Sequence, residues 1–183
     1  MKKSILLSVA AALVISAASF GQSGSKLVSS KTQIKFFSST PAEDIEAYNT
    51  ASVSTIDKSS GEVVFSVPMQ GFEFDKSLMQ KHFNNDKFLD TKAFPEAKLK
   101  ARITNIDAVD FSKDGSYKAT VKGDLTIKGK TNPIAESGTI TVKGNVVTVE
   151  SKFNVTLADY GVLFQKGKPA SNIAKTVEVT VQA

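Results

Sequence analysis

The chain has no cysteine, no tryptophan and only one histidine, His82. Without cysteine there can be no disulfide scaffold, thiolate nucleophile, thiolate metal site or lipidated N-terminal cysteine. One imidazole falls short of the three or four N/S ligands of a typical zinc site, so no metal is expected. There is also no G-x-S-x-G elbow, phosphate-cradling glycine loop or H-E-x-x-H motif. These absences argue against the common hydrolase and nucleotide-dependent classes, and no cofactor is expected. The formal net charge is +5, but the lysines are spread along the chain, which reads as solvated surface rather than a nucleic-acid footprint.

Long apolar runs are scarce as well. The one present, Ile5 to Ala18, follows Lys2 and Lys3 and leads into Ser19-Phe20-Gly21. A positive start, a short apolar stretch and small residues at both positions of an A-x-A-like site make a secretory signal peptide over residues 1–21, cleaved before Gln22. No later run approaches the ~20 apolar residues of a spanning helix. The expectation is a periplasmic or secreted protein with no transmembrane span after processing. Residues 22–30 read as a flexible leader, and residues 31–183 as one domain.

From residue 31 onward the dominant signal is period-2 alternation, the mark of strands with one buried face. In Ala97-Lys98-Leu99-Lys100-Ala101-Arg102-Ile103 the apolar residues share one face and the cations the other. Ile34 and Phe36 follow the same rule, as do Val63, Phe65 and Val67, and the longer set Tyr117, Ala119, Val121, Leu125 and Ile127. Val147, Val149, Phe153, Val155 and Leu157 repeat it, and Val177, Val179 and Val181 close the chain. Turn formers separate these runs at 57–61, 112–115, 129–133 and 143–145. About eight antiparallel strands result, which suits either a closed barrel or a two-sheet sandwich. An outer-membrane barrel fails on the faces, because Lys98, Lys100, Arg102, Lys118, Lys122, Glu150 and Lys152 would then crowd a narrow lumen.

One segment has a different period. Leu78, Met79 and Phe83 recur at helical spacing, with Asp75 placed as N-cap. Residues 84–95 that follow mix turn formers with Phe88, Leu89 and Phe94 and are expected to fold over one end of the sheet. On the inward faces small residues (Ala47, Ala51, Ala101, Ala119, Gly123, Ser151) alternate with large ones. Such residues leave room for a ligand in a closed barrel, or complement large partners in a packed, cavity-free sandwich. The pattern alone leaves both open. His82, with Asp75, Asp86, Asp90 and Glu96 in the same region, also leaves open an enzyme acting on a lipid-like substrate, although no spacing fixes an acid–base pair.

Three stretches resemble the YceI-like family of exported lipid-binding proteins. Leu78 through Pro95 resembles its helix-plus-loop signature, Gly123-Asp124-Leu125-Thr126-Ile127-Lys128-Gly129-Lys130-Thr131 its "G-x-L-T-I-x-G-x-T" hairpin, and Phe153 through Gly161 its late strand with an aromatic-Gly step. The likeness spans about residues 31–182. It implies an all-β, eight-stranded antiparallel lipocalin-like barrel with one short helix and an apolar lumen holding a polyisoprenoid or similar lipid for storage or transport, and no enzyme. The lumen residues expected are Phe36, Phe65, Phe72, Phe74, Leu99, Ala101, Ala119, Leu125, Phe153 and Leu157. His82 and Tyr160 are the polar candidates near an opening. The chain departs from the family at Leu157-Ala158-Asp159, where many members carry an arginine. An exposed strand edge would permit a homodimer.

Overall fold

The alternating runs become nine strands and one helix in a computed structural model that describes residues 24–162 and 173–183. In chain order they are β1 (Lys26–Ser39), β2 (Asp44–Asp57), β3 (Glu62–Pro68), β4 (Phe72–Glu73), α1 (Ser77–Asn84), β5 (Glu96–Ile103), β6 (Gly115–Ile127), β7 (Lys130–Lys143), β8 (Val146–Thr156) and β9 (Thr176–Gln182). The order β1-β9-β8-β7-β6-β5-β3-β2, with β1 also paired to β2, closes eight long antiparallel strands into a barrel. The two-residue β4 adds to β2 at Tyr48 and Asn49. The eight-stranded barrel expected from the sequence is therefore present.

An antiparallel barrel sends alternate connections to opposite ends. The turn after β2, the segment between β5 and β6, and the turn after β7 lie at one end, where Ile103, Ile140 and Val142 are each 2% exposed and Val109 is buried with them. The β1–β2 loop, the long crossover carrying α1, and the β6–β7 turn gather at the other. One end is a packed plug, and the other is covered by a helix.

Local chemistry explains where the chain departs from simple alternation. Strand β1 begins inside the segment expected to be a flexible leader: Lys26 pairs with Asp57 and Leu27 with Ile56. The β1–β2 register shifts between Ser29 and Ile34, and on β2 the inward set changes from Ile45, Ala47 and Asn49 to Ser52, Ser54 and Ile56. Thr50 and Ala51 both face solvent, so Ala51 is not an inward residue. The polar groups turned inward are satisfied locally. Asn49 Nδ2 donates to the Pro68 carbonyl at 2.7 Å, the Ser52 hydroxyl donates to Asn49 Oδ1 at 2.9 Å, and the Thr32 and Ser54 hydroxyls meet at 2.9 Å.

Two further expectations change. Helix α1 starts one residue after Lys76, with no side-chain N-cap, and Asp75 is exposed outside it. The β6–β7 turn is only Lys128-Gly129, with φ of 49° and 70°, the paired left-handed residues of a tight hairpin. Thr131, Asn132 and Pro133 are thus part of β7. Proline fits there because β7 pairs with β8 only from Gly138 to Lys143. Counted from the closing pair Ile127–Lys130, residue 133 points its missing N–H away from β6, toward the side that β8 has left. Side chains bridge this parting at both ends: the Ser151 hydroxyl donates to the Ser137 carbonyl at 2.8 Å, and Asn132 Nδ2 to the Asp159 carbonyl at 3.0 Å.

Candidate functional site

The barrel encloses a cavity of about 1370 Å³ that reaches the helix-covered end. Its walls are the inward rows of the strands: Ile34 and Phe36 of β1, Phe65 and Val67 of β3, Leu99 of β5, Ala119, Val121 and Leu125 of β6, Val149 of β8, and Val177 and Val179 of β9. The few polar side chains along these rows include Ser38 and Ser151. A volume of this size exceeds the usual range for drug-sized ligands, and its lining favours a long apolar guest.

At the covered end the phenylalanines form one cluster. The Phe83 ring of α1 stacks on Phe36 of β1 at 5.7 Å and 9°, and lies 5.4 Å from Phe72, 5.1 Å from Phe74 and 6.2 Å from Phe88. Phe36 also meets Phe72 and Phe74, at 5.5 and 5.6 Å. The same rings that seat the helix on the barrel line the cavity. Phe83 is 5% exposed, whereas Leu78, five residues earlier on the helix, is 61% exposed at the cavity's border. An eight-residue helix is marginal by itself, so this apolar contact must hold it.

Polar contacts fix the cover at both flanks. Lys76, just before α1, pairs with Glu43 of the β1–β2 loop at 2.7 Å. Lys128 Nζ, in the β6–β7 turn, donates to the Phe88 carbonyl at 2.5 Å. Within the loop the Thr91 hydroxyl donates to Asn84 Oδ1 at 2.8 Å, with Thr91 fully buried.

Of the expected lumen residues, Phe36, Phe65, Phe72, Phe74, Leu99, Ala119, Leu125 and Leu157 line the cavity. Ala101 and Phe153 do not. Ala101 pairs directly with Gly123, where a Cβ built on the glycine would lie 2.4 Å from the Ala101 Cα and 2.2 Å from the Lys100 carbonyl oxygen. Gly123 thus permits the close approach of β5 and β6 at this pair. Phe153 is half-buried against the core on β8, next to the parting from β7. His82 is exposed on α1 and borders the cavity. Among the described residues it has no carboxylate partner. Tyr160 is 4% exposed in a short 3-10 turn at Leu157–Tyr160 and packs in the core away from the cavity; burial raises its phenol pKa above the usual value.

Sequence reasoning missed Ile45, Met69 and Leu89, which lie outside the clean alternating runs yet line the cavity. It also missed the charged residues on the cavity's border, Glu43, Lys76, Lys87, Lys98 and Lys128, because isolated lysines in sequence look like ordinary surface. Glu136 shares the inward row of β7 with Ile134 and Gly138 and pairs with Val121; burial raises its carboxyl pKa. The proposed signal peptide lies outside the described residues. Among the described residues, no helix is long and apolar enough to cross a membrane.

The profile of the YceI-like domain matches residues 16–183. A UPF0312 protein of Pseudomonas fluorescens (strain Pf-5) is 31% identical over 98 residues, covering 50% of this chain and 48% of that protein, so the match spans about half the relative's length. Among solved structures, a polyisoprenoid binding domain from Saccharophagus degradans, implicated in plant cell wall breakdown, superposes with a TM-score of 0.72 at 12% identity over 86% of this chain and 95% of that one. BcnA of Burkholderia cenocepacia gives 0.68 at 18% identity over 83% and 94%. At these identities the structural likeness concerns the fold.

Proposed function

Because the chain belongs to the YceI-like family, we propose that it is an exported carrier that encloses one long apolar molecule, of the polyisoprenoid or fatty-acyl kind, for storage or transport. The observation that carries this reading is the cavity of about 1370 Å³ walled by aliphatic and phenylalanine side chains. The Saccharophagus degradans domain of the same fold, described as polyisoprenoid binding, supports the choice of ligand. Each buried methylene contributes ~0.8 kcal/mol, so a tail of some twenty carbons supplies more than enough gross free energy for tight binding, even after the cost of ordering it. Specificity in such a lumen comes from length and shape. The carrier is not an enzyme in this reading, and His82 borders the entrance without a catalytic role. Export follows from the reading of residues 1–21 as a signal peptide.

Native mass spectrometry of the protein purified without detergent tests the proposal. The expected result is either an adduct with the mass of a long apolar molecule or, after delipidation, one-to-one uptake of geranylgeraniol. A barrel that is empty as purified and takes up neither geranylgeraniol nor a fatty acid overturns it.

A further inference from the structure

The cavity has a floor part-way down the barrel. On β7 the inward residues Gly138 and Ile140 line it, whereas Val142, next on the same face, does not. On β8 the boundary falls between Val149 and Val147, and on β6 between Ala119 and Tyr117. Strand β5 ends with Ile103, which like Ile140 lines the cavity while only 2% exposed. Beneath these two isoleucines the barrel is filled. Val109 and Val142 are buried there, and Ile106, Phe111 and Tyr117 pack against the same core.

The segment that makes this plug is tied down along its length. Asn105 is bonded to β6 as an extra strand residue would be: its Nδ2 donates to the Lys118 carbonyl at 2.9 Å, and its Oδ1 accepts from the Thr120 N–H at 2.8 Å. The Tyr117 hydroxyl donates to the Lys113 carbonyl at 2.8 Å. At the other side the Ile103 N–H donates to the Gly61 carbonyl, also at 2.8 Å. A close-packed layer held in this way does not make room for an extra methylene without strain.

From Ile127 at the covered end to Ala119 above the floor, β6 lines the cavity over eight residues, about 27 Å along the strand and about 20 Å along the axis of a barrel of ordinary tilt. A tail inside this space leaves water with every carbon added until its end meets the isoleucines. The next carbon has to stay outside or push the plug apart.

Resting on the carrier reading above, we propose that Ile103 and Ile140 are specificity-determining residues that set the longest tail the barrel encloses. Guests are then sorted by tail length from the floor upward, and carbons beyond the limit add no affinity.

The test uses straight-chain primary alcohols in single-carbon steps, which share one neutral head, to displace a fluorescent apolar probe from the delipidated protein. Affinity should rise by up to about fourfold per methylene until the tail spans the lumen, and then level off. Ile140→Ala lowers the floor and should move this break to a longer alcohol. Ala119, 4% exposed, lines the cavity just above the floor. Ala119→Leu should move the break to a shorter alcohol and weaken binding of longer ones about tenfold. Ile140→Ala leaves a void and loses stability; if it fails to fold, Ala119→Leu decides alone, with circular dichroism reporting an intact barrel. Ala135→Leu, on the exposed outer row of β7, should leave the break in place. A profile that rises without a break to the longest soluble alcohol overturns the floor as a limit, and so does a break at one length in the unaltered protein and in every folded floor variant. Both results leave the carrier reading standing, because the alcohols bind. Failure of every alcohol and of geranylgeraniol to bind overturns the two together.

Discussion

Asp57 shows how much one side chain organises. Its carboxylate accepts from the backbone N–H of Ser59 and Ser60, from the Ser59 hydroxyl at 2.6 Å, and from the Ser25 hydroxyl at 3.1 Å across the β1–β2 pair. Donation from Ser59, then from the backbone N–H groups, holds its pKa far below the usual carboxylate range. A carboxyl that is more acidic folded than unfolded stabilises the fold above the ordinary value of about 4, and that contribution disappears as pH falls through the folded value. Asp57→Asn should therefore melt below the unaltered protein at neutral pH, with the gap narrowing progressively as pH falls below about 4; circular dichroism melts from neutral pH down to about pH 2 check it. Gly123 is sensitive in another way. A methyl group there meets the backbone of β5, which cannot yield as a flexible side chain would. Gly123→Ala should cost about 3 kcal/mol or prevent folding, as urea denaturation will show; an unchanged midpoint would mean that the strands separate easily.

Helix α1 and its loop cover the end of the barrel that the cavity reaches. The aromatic cluster centred on Phe83 seats it, and the Glu43–Lys76 pair fixes its leading edge. The pair is partly exposed and worth little as stability, but it spans the edge of the cover. Glu43→Gln should speed release of a preloaded fluorescent lipid by up to about fivefold with little change in melting temperature, measured by stopped-flow dilution. Unchanged release would place the exit elsewhere in the wall. The existence of this element could be read in the sequence from the spacing of Leu78, Met79 and Phe83, but its start could not. Asp75 is a good capping residue by type, yet the packed aromatic face determines where the helix begins, and a cap adds nothing the chain requires there. Likewise, Gly129 through Pro133 read as a turn because turn formers cluster there, whereas Lys128-Gly129 completes the hairpin and Pro133 tolerates a strand whose outer edge is unpaired.

At the scale of the whole barrel, period-2 alternation was enough to reveal the strands and their inward faces, because burying one face is a local property of each strand. Features that depend on how two strands meet could not be read from one strand at a time. The register shift beside Thr32 turned Ala51 outward, Lys26–Ser29 joined the sheet because β2 extends to pair with them, and Gly123 faced the lumen in pattern but β5 in space. The charged residues bordering the cavity belong to the same class, since segments distant in sequence bring them to its rim. The incomplete β7–β8 ladder has its own counterpart in isotope exchange. The amides of Thr131 and Ala135 face away from β6, and no ladder with β8 covers them, so they should trade hydrogen for deuterium sooner than those of Asn132, Ile134 and Glu136 beside them. Followed by NMR, this one strand would show fast and slow sites in alternation, recording proton by proton where the wall is singly bonded.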